Sequence, residues 1–177
     1  MQFNVAQLLK EPIGSTRKYL VNDDLDDLDP ELVIQTPIKG QLKFTKIPKG
    51  ILVNGDFKTM LEFSCDRCLE PLDQTISIEL EEEFRPAVDL LTGASLPQSE
   101  DDEEATQIDA KNIIDLSEVI RQALLLGFPS RRLCRSDCKG LCVECGQNLN
   151  QGECNCATES LDPRWSALRS LLEQNDA

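Results

Sequence analysis

A chain of 177 residues, 40% hydrophobic and 28% charged, has room for one packed core plus a small metal-organised lobe. Its formal net charge of −14, from 32 acidic against 18 basic side chains, argues against nucleic-acid binding through the whole surface and favours a basic protein partner reached by electrostatic steering. The absence of histidine removes the commonest general base and nitrogen ligand, excludes Cys–His and Ser–His catalysis, and leaves sulfur as the main metal donor.

The first residues, Met1-Gln2-Phe3-Asn4-Val5, lack the basic-then-apolar pattern of a signal peptide. The longest apolar run, Ala123 to Phe128, is too short to cross a bilayer. The expectation is a cytoplasmic protein with no membrane attachment, whose thiols stay reduced unless a metal holds them.

Asn4 to Lys10 reads as a short helix with Val5, Leu8 and Leu9 on one side, and Ser15 to Val21 as a strand. Asp23, Asp24, Asp26, Asp27 and Asp29 then form a solvated run that ends at Pro30. Between Leu32 and Arg85 the pattern is β-like. Ile38, Gly40, Leu42 and Phe44 alternate with polar residues, Ile51 to Phe63 gives a second strand with a bend expected at Asn54-Gly55, and Gln74 to Phe84 gives a third. Residues 97–106 hold five acids in succession, Glu100 to Glu104, and read as a solvated loop. Asp115 to Gly127 reads as a helix capped by Asp115, with Leu116, Val119, Ile120, Ala123 and Leu124 as its stripe. Leu161 to Gln174 reads as a second, with Asp162 as cap, Pro163 in the first turn, and Trp165, Leu168, Leu171 and Leu172 as its apolar face.

The expected fold class is α+β: an antiparallel β meander packed with a few helices, plus a Cys-rich, zinc-ribbon-like C-terminal segment. Residues 1–129 form the mainly antiparallel β domain, with a zinc knuckle at 65–68 and the acidic loop at 97–106. Residues 130–177 hold the Cys-rich zinc-binding segment and the C-terminal helix.

The eight cysteines fall into four close pairs: Cys65/Cys68, Cys134/Cys138, Cys142/Cys145 and Cys154/Cys156. A C-x-x-C turn directs two thiolates at one ion, and two such pairs fill the tetrahedral shell of Zn²⁺. Four pairs therefore suit two closed sites. Of the three ways to combine them, the favoured one places Cys142, Cys145, Cys154 and Cys156 in a compact ribbon. Cys65, Cys68, Cys134 and Cys138 then form a long-range site. A single zinc with four free thiols is an alternative. An iron–sulfur cluster and a redox C-x-x-C are weaker readings, because Cys65 sits in a hairpin context and not at a helix N-terminus. Closed four-thiolate sites leave no open position for catalysis, so no enzyme activity is expected. Arg131, Arg132, Arg135 and Lys139 surround Cys134 and Cys138, either offsetting thiolate charge or making a weak local phosphate or RNA contact.

Cys65-Asp66-Arg67-Cys68-Leu69-Glu70-Pro71 resembles the first signature of the YceD family, the large ribosomal RNA subunit accumulation proteins. Asp137 to Cys142, Cys145-Gly146-Gln147-Asn148-Leu149-Asn150 and Cys154-Asn155-Cys156 resemble its C-terminal signature, and Asp162-Pro163-Arg164-Trp165 its closing helix. Val143 stands where the resemblance would place proline; the cysteines and Gly146 are intact. The resemblance implies a role in accumulation or processing of large-subunit rRNA in bacteria and plastids. The expectation is thus a non-enzymatic, zinc-stabilised adaptor for a basic ribosomal protein or rRNA-processing factor. The alternatives are a direct rRNA-binding zinc ribbon and a C-x-x-C thiol oxidoreductase.

Overall fold

The computed structural model describes residues 1–25, 28–88, 94 and 106–156. The expected helix at 161–174 and the acidic stretch at 97–105 lie outside these described residues. Its elements are β1 (Gln2–Asn4), β2 (Thr16–Asp23), β3 (Val33–Ile34), β4 (Ile38–Ile47), β5 (Gly50–Ser64), β6 (Pro71–Pro86), β7 (Gln107–Ile108), β8 (Ile113–Asp115) and helix α1 (Ser117–Leu126), with a single 3₁₀ turn at Leu8–Lys10. The strands form one sheet in the order β1-β8-β7-β6-β5-β4-β2, with β3 pairing β5 to the side.

This overturns the α+β expectation: the protein is mostly sheet, curled into a half-barrel, with α1 as the one α-helix among the described residues. The physical reason lies in the N-terminal and linking segments. Val5, Leu8 and Leu9 are all buried, yet the segment is shared between the end of β1 and one 3₁₀ turn. An apolar triplet at helical spacing identifies a buried face, but so few residues cannot sustain an α-helix. The antiparallel meander holds for β4, β5 and β6, whereas β7 runs parallel to β6 and carries the sheet on through β8 to β1.

Alternation builds the long hairpin. Along β5, Ile51, Val53, Phe57, Leu61 and Phe63 turn inward, and Ile76, Ile78, Leu80 and Phe84 do so along β6. Curling brings the ends of the sheet together: Phe3 of β1 packs on Tyr19 of β2 at 5.1 Å and on Phe44 of β4 at 5.2 Å between ring centroids. Helix α1 closes the concave side with Val119, Ile120 and Leu124. Each fully buried large side chain contributes about 2 kcal/mol.

No turn or bulge interrupts β5 at Asn54-Gly55, because the register runs unbroken through Leu42, Gly55 and Leu80. Gly55 serves packing instead: a Cβ there would come within 2.8 Å of both Leu42 and the Phe57 ring. Asp115 performs the expected capping one residue early. Its Oδ1 accepts from the Ser117 amide at 2.9 Å, although the helix proper begins after Leu116.

Candidate metal centres

The β5–β6 hairpin ends in Cys65-Asp66-Arg67-Cys68, between the last strand pair Ser64↔Pro71. The Cys65 amide donates to the Glu70 carbonyl at 2.9 Å and the Leu69 amide to the Cys65 carbonyl at 3.0 Å. A second turn repeats this scheme. Leu141 bridges Asn148, the Cys142 amide donates to the Gln147 carbonyl at 2.8 Å, and the Gly146 amide donates to the Cys142 carbonyl at 2.9 Å. The residue after the second cysteine has positive φ in both turns, 61° at Leu69 and 73° at Gly146. Glycine adopts that conformation freely and leucine does so under strain.

Each turn meets a downstream pair. The sulfurs of Cys65, Cys68, Cys134 and Cys138 all lie within 4.8 Å of one another, and so do those of Cys142, Cys145, Cys154 and Cys156. These are termed centre A and centre B. All eight cysteines are free thiols. In centre A, Cys65 Sγ is 3.8 Å from Cys138 Sγ and Cys68 Sγ is 3.6 Å from Cys134 Sγ. Disulfide sulfurs stand about 2.05 Å apart, whereas four thiolates about 2.3 Å from one tetrahedral ion are spaced by about 3.8 Å. The donors thus fit a single ion. A multi-iron cluster, whose thiolates bind different irons, spreads its ligands further apart.

Amides stabilise some of these sulfurs as thiolates. The Cys134 amide donates to Cys65 Sγ at 3.4 Å and pulls that thiol down to about 6. Amides of Cys145 and Glu144 do the same for Cys142, also to about 6. Withdrawal from water, reinforced by neighbouring thiols, pushes Cys134 up to about 12. Cys156 rises to about 12 because Cys145 crowds it, with desolvation adding. Without a cation, four sulfurs this close cannot all ionise; a divalent ion removes that conflict.

Several residues that the sequence reading gave no role hold the centres together. Arg67 donates to the Cys138 carbonyl at 2.7 Å, and its own carbonyl accepts from the Leu141 amide at 3.2 Å. Glu70 accepts from Asn148 and from Gln151, each at 3.1 Å. Asn150, in the loop of centre B, donates through Nδ2 to Cys138 Sγ of centre A at 3.3 Å and accepts from the Lys139 amide at 2.8 Å. Asn148 and Asn150 belong to the motif that carried the family resemblance, which was the available signal.

Of the four cations near Cys134 and Cys138, Arg132 is engaged: its side chain meets Asp66 at 3.1 Å and lies 5.6 Å over the Phe63 ring. Arg135 lies 4.0 Å from Asp137, and Arg131 and Lys139 are exposed.

A curled sheet whose longest hairpin ends in a cysteine turn, closed by a distant pair and followed by a twin turn with a pair of its own, defines a β protein with two sulfur centres. The model for YceD, described as large ribosomal RNA subunit accumulation protein, matches residues 53–172. The chain belongs to the YceD family. An uncharacterised protein of Mycobacterium tuberculosis is 33% identical over 131 residues, which cover 74% of this chain and 60% of that protein. The chloroplastic YCED homolog 1 of Arabidopsis thaliana is 29% identical over 160 residues, covering 78% of this chain and 50% of that protein. The chloroplastic YCED homolog 1 of Zea mays is 29% identical over 144 residues, covering 69% and 49%. The chain therefore spans about half to three-fifths of the length of these relatives. No solved structure matches it. Among the described residues, no helix is long and apolar enough to cross a membrane.

Proposed function

We propose that this protein supports accumulation of large-subunit ribosomal RNA as a non-catalytic adaptor, stiffened by two zinc ions, that holds a basic ribosomal protein or processing factor. The observation that carries this reading is the pair of four-sulfur groups in a chain of the YceD family. Cys65, Cys68, Cys134 and Cys138 would hold one ion and Cys142, Cys145, Cys154 and Cys156 the other. When bound, zinc supplies a fixed crosslink with its coordination filled by thiolates.

The charge on the outer sheet face supports a basic partner. Asp56 lies opposite Glu79, and Glu62 opposite Asp73, with Glu81 beside them; all five are exposed. Opposed like charges cost stability, which a basic partner would return. Burial argues against thiol exchange at the first turn, since Cys65 and Cys68 are 0% and 4% exposed.

Metal content with thiol titration on anaerobically purified protein tests the zinc: two ions per chain are expected, and a metal-free chain with eight reactive thiols would refute them. Depletion in cells is expected to lower mature large-subunit rRNA. Tagged protein is expected to recover a ribosomal protein or pre-ribosomal particle at low salt, and clean absence of both would overturn the adaptor reading.

A further inference from the structure

The same outer face carries an opposite charge on its other half. Lys18 on β2, Lys39 and Lys43 on β4 and Lys58 on β5 all point outward and are exposed. The register sets Lys18 against Lys43 and Lys39 against Lys58. Directly opposed like charges weaken a sheet, because their side chains stand only about 5 Å apart. In a chain with 32 acids and 18 basic residues, acids are plentiful enough to alternate with these lysines. Instead like faces like at four pairs, lysine opposing lysine on β2–β4 and β4–β5 and acid opposing acid on β5–β6, with Lys58 standing between Asp56 and Glu62 along β5. Among the described residues none of the four lysines forms an ion pair.

A groove of about 770 Å³ opens at the Lys39–Lys58 pair, lined by Leu20, Asn22, Thr36, Lys39, Gln41 and Lys58, and the Lys18–Lys43 pair lies outside it, further along the same face. Along β4 the two lysine pairs are separated by about 13 Å, at about 3.3 Å per residue. A polyanion can follow that distance and a small anion cannot span it. Asn22, Thr36 and Gln41 add uncharged donors of the kind that bind sugar and phosphate oxygens. Asp56, which borders the groove opposite Gln41, and the acids beyond it on β6 would repel a broad acidic protein lying flat on the sheet, while a single strand can follow the lysines of β2 and β4.

We infer that this groove, continued along the face by Lys18 and Lys43, binds the phosphodiester backbone of single-stranded RNA. The inference rests on the rRNA reading above and extends it by assigning the RNA a surface away from both cysteine centres. It makes the outer face two-sided, with RNA on the lysine half and a basic protein on the acidic half.

The test is fluorescence anisotropy of labelled poly(U) with the full chain across a salt series. Changing Lys18, Lys39, Lys43 and Lys58 together to Gln is expected to weaken binding about tenfold or more and to flatten the salt slope by about 3, at about 0.7 per phosphate contact. The corresponding four Lys→Arg changes keep both values. Thermal stability of the Gln variant should hold or rise, since repulsion is relieved; if it unfolds, the two paired variants, Lys18→Gln with Lys43→Gln and Lys39→Gln with Lys58→Gln, must each show part of the loss. Wild-type binding that survives in the folded Gln variants would overturn the groove. So would absence of poly(U) binding at low salt, preference for duplex RNA, or displacement by poly-glutamate at equal charge. Cells separate this from the functional reading. A deletion that lowers rRNA, fully rescued by the Gln variant, refutes the groove alone; a deletion without an rRNA defect refutes the function, and the poly(U) result still decides the groove.

Discussion

At the end of the β5–β6 hairpin, the Cys65–Cys68 turn and its downstream pair bury three of four cysteines; the Cys142–Cys145 turn, with the same two backbone hydrogen bonds, buries only Cys142. The local recipe is shared and the surroundings differ. Centre A is packed by Leu72, Leu133 and Leu141 and continues a strand pair running into the core. Centre B rests on a one-residue bridge, with Val143 93% exposed at its tip. A cysteine turn thus sets the backbone around its sulfurs by itself, whereas how deeply those sulfurs are buried depends on what the turn is attached to.

The comparison breaks most easily at the ligands. If zinc is bound as proposed, Cys65→Ser should cost more than about 4 kcal/mol in urea unfolding, because it removes a buried sulfur on which distant segments converge. Cys145→Ser, in an exposed turn, should cost about 2 kcal/mol or less. Equal losses would show that burial does not rank the centres. Under a chelator the wild type should release its metal in two phases, one equivalent each. The second phase should persist in Cys145→Ser and be lost in Cys65→Ser; release in one phase would mean the centres open together.

Asn150 is the sharpest probe of their independence, since it sits in the loop of one centre and donates to a sulfur of the other. Asn150→Ala should weaken metal binding at centre A about tenfold, read from the thiolate charge-transfer band of the cobalt-loaded protein under chelator competition. A loss confined to centre B would make the contact incidental. Acid separates the sheet from both centres. Burial alone would raise Asp115, yet hydrogen bonds from Gln2 and Ser117 outweigh it and hold it at about 2; bonds from Arg121 and then Gln122 hold Glu118 at about 2. Both pKa values are depressed on folding, so their contribution is intact above the ordinary values of 3.8 and 4.5 and fades as pH falls towards 2. Protons compete for thiolates at higher pH. Metal release should therefore precede loss of sheet circular dichroism as pH is lowered, and the reverse order would contradict this.

Much of the site was legible because its signal is local. Cysteine spacing marked four pairs, and alternation marked the three long strands. Legibility failed where the cause is tertiary. Nothing local distinguishes Val5, Leu8 and Leu9 on a helix from the same residues plugging a half-barrel, and the two-residue strand β7 is too short to show a period. The parallel β6–β7 pairing arises from chain return, which periodicity does not encode. The lysine pairs were visible as residues, but their opposition needs the register. Arg132 was visible as a cation, but its partners Asp66 and Phe63 lie more than sixty positions away in the chain.

The smallest effect is the most direct comparison of the twin turns, because it exchanges one position between them. Leu69 and Gly146 follow the second cysteine of each turn, with φ of 61° and 73°. Leu69 is 65% exposed, so its side chain contributes little packing to offset the left-handed backbone, and no atom lies within 4 Å of a Cβ built on Gly146. Space is therefore not the issue at either position, and backbone conformation is. Gly146→Ala should destabilise centre B by about 1 kcal/mol. Leu69→Gly relieves about 1 kcal/mol of strain but gives the unfolded chain more freedom, so its net effect should be near zero or slightly stabilising. Paired urea titrations of the metal-loaded protein measure both. If Leu69→Gly instead cost as much as Gly146→Ala, the leucine would be held by contacts that centre B lacks, and the two turns would be alike only in their hydrogen bonds.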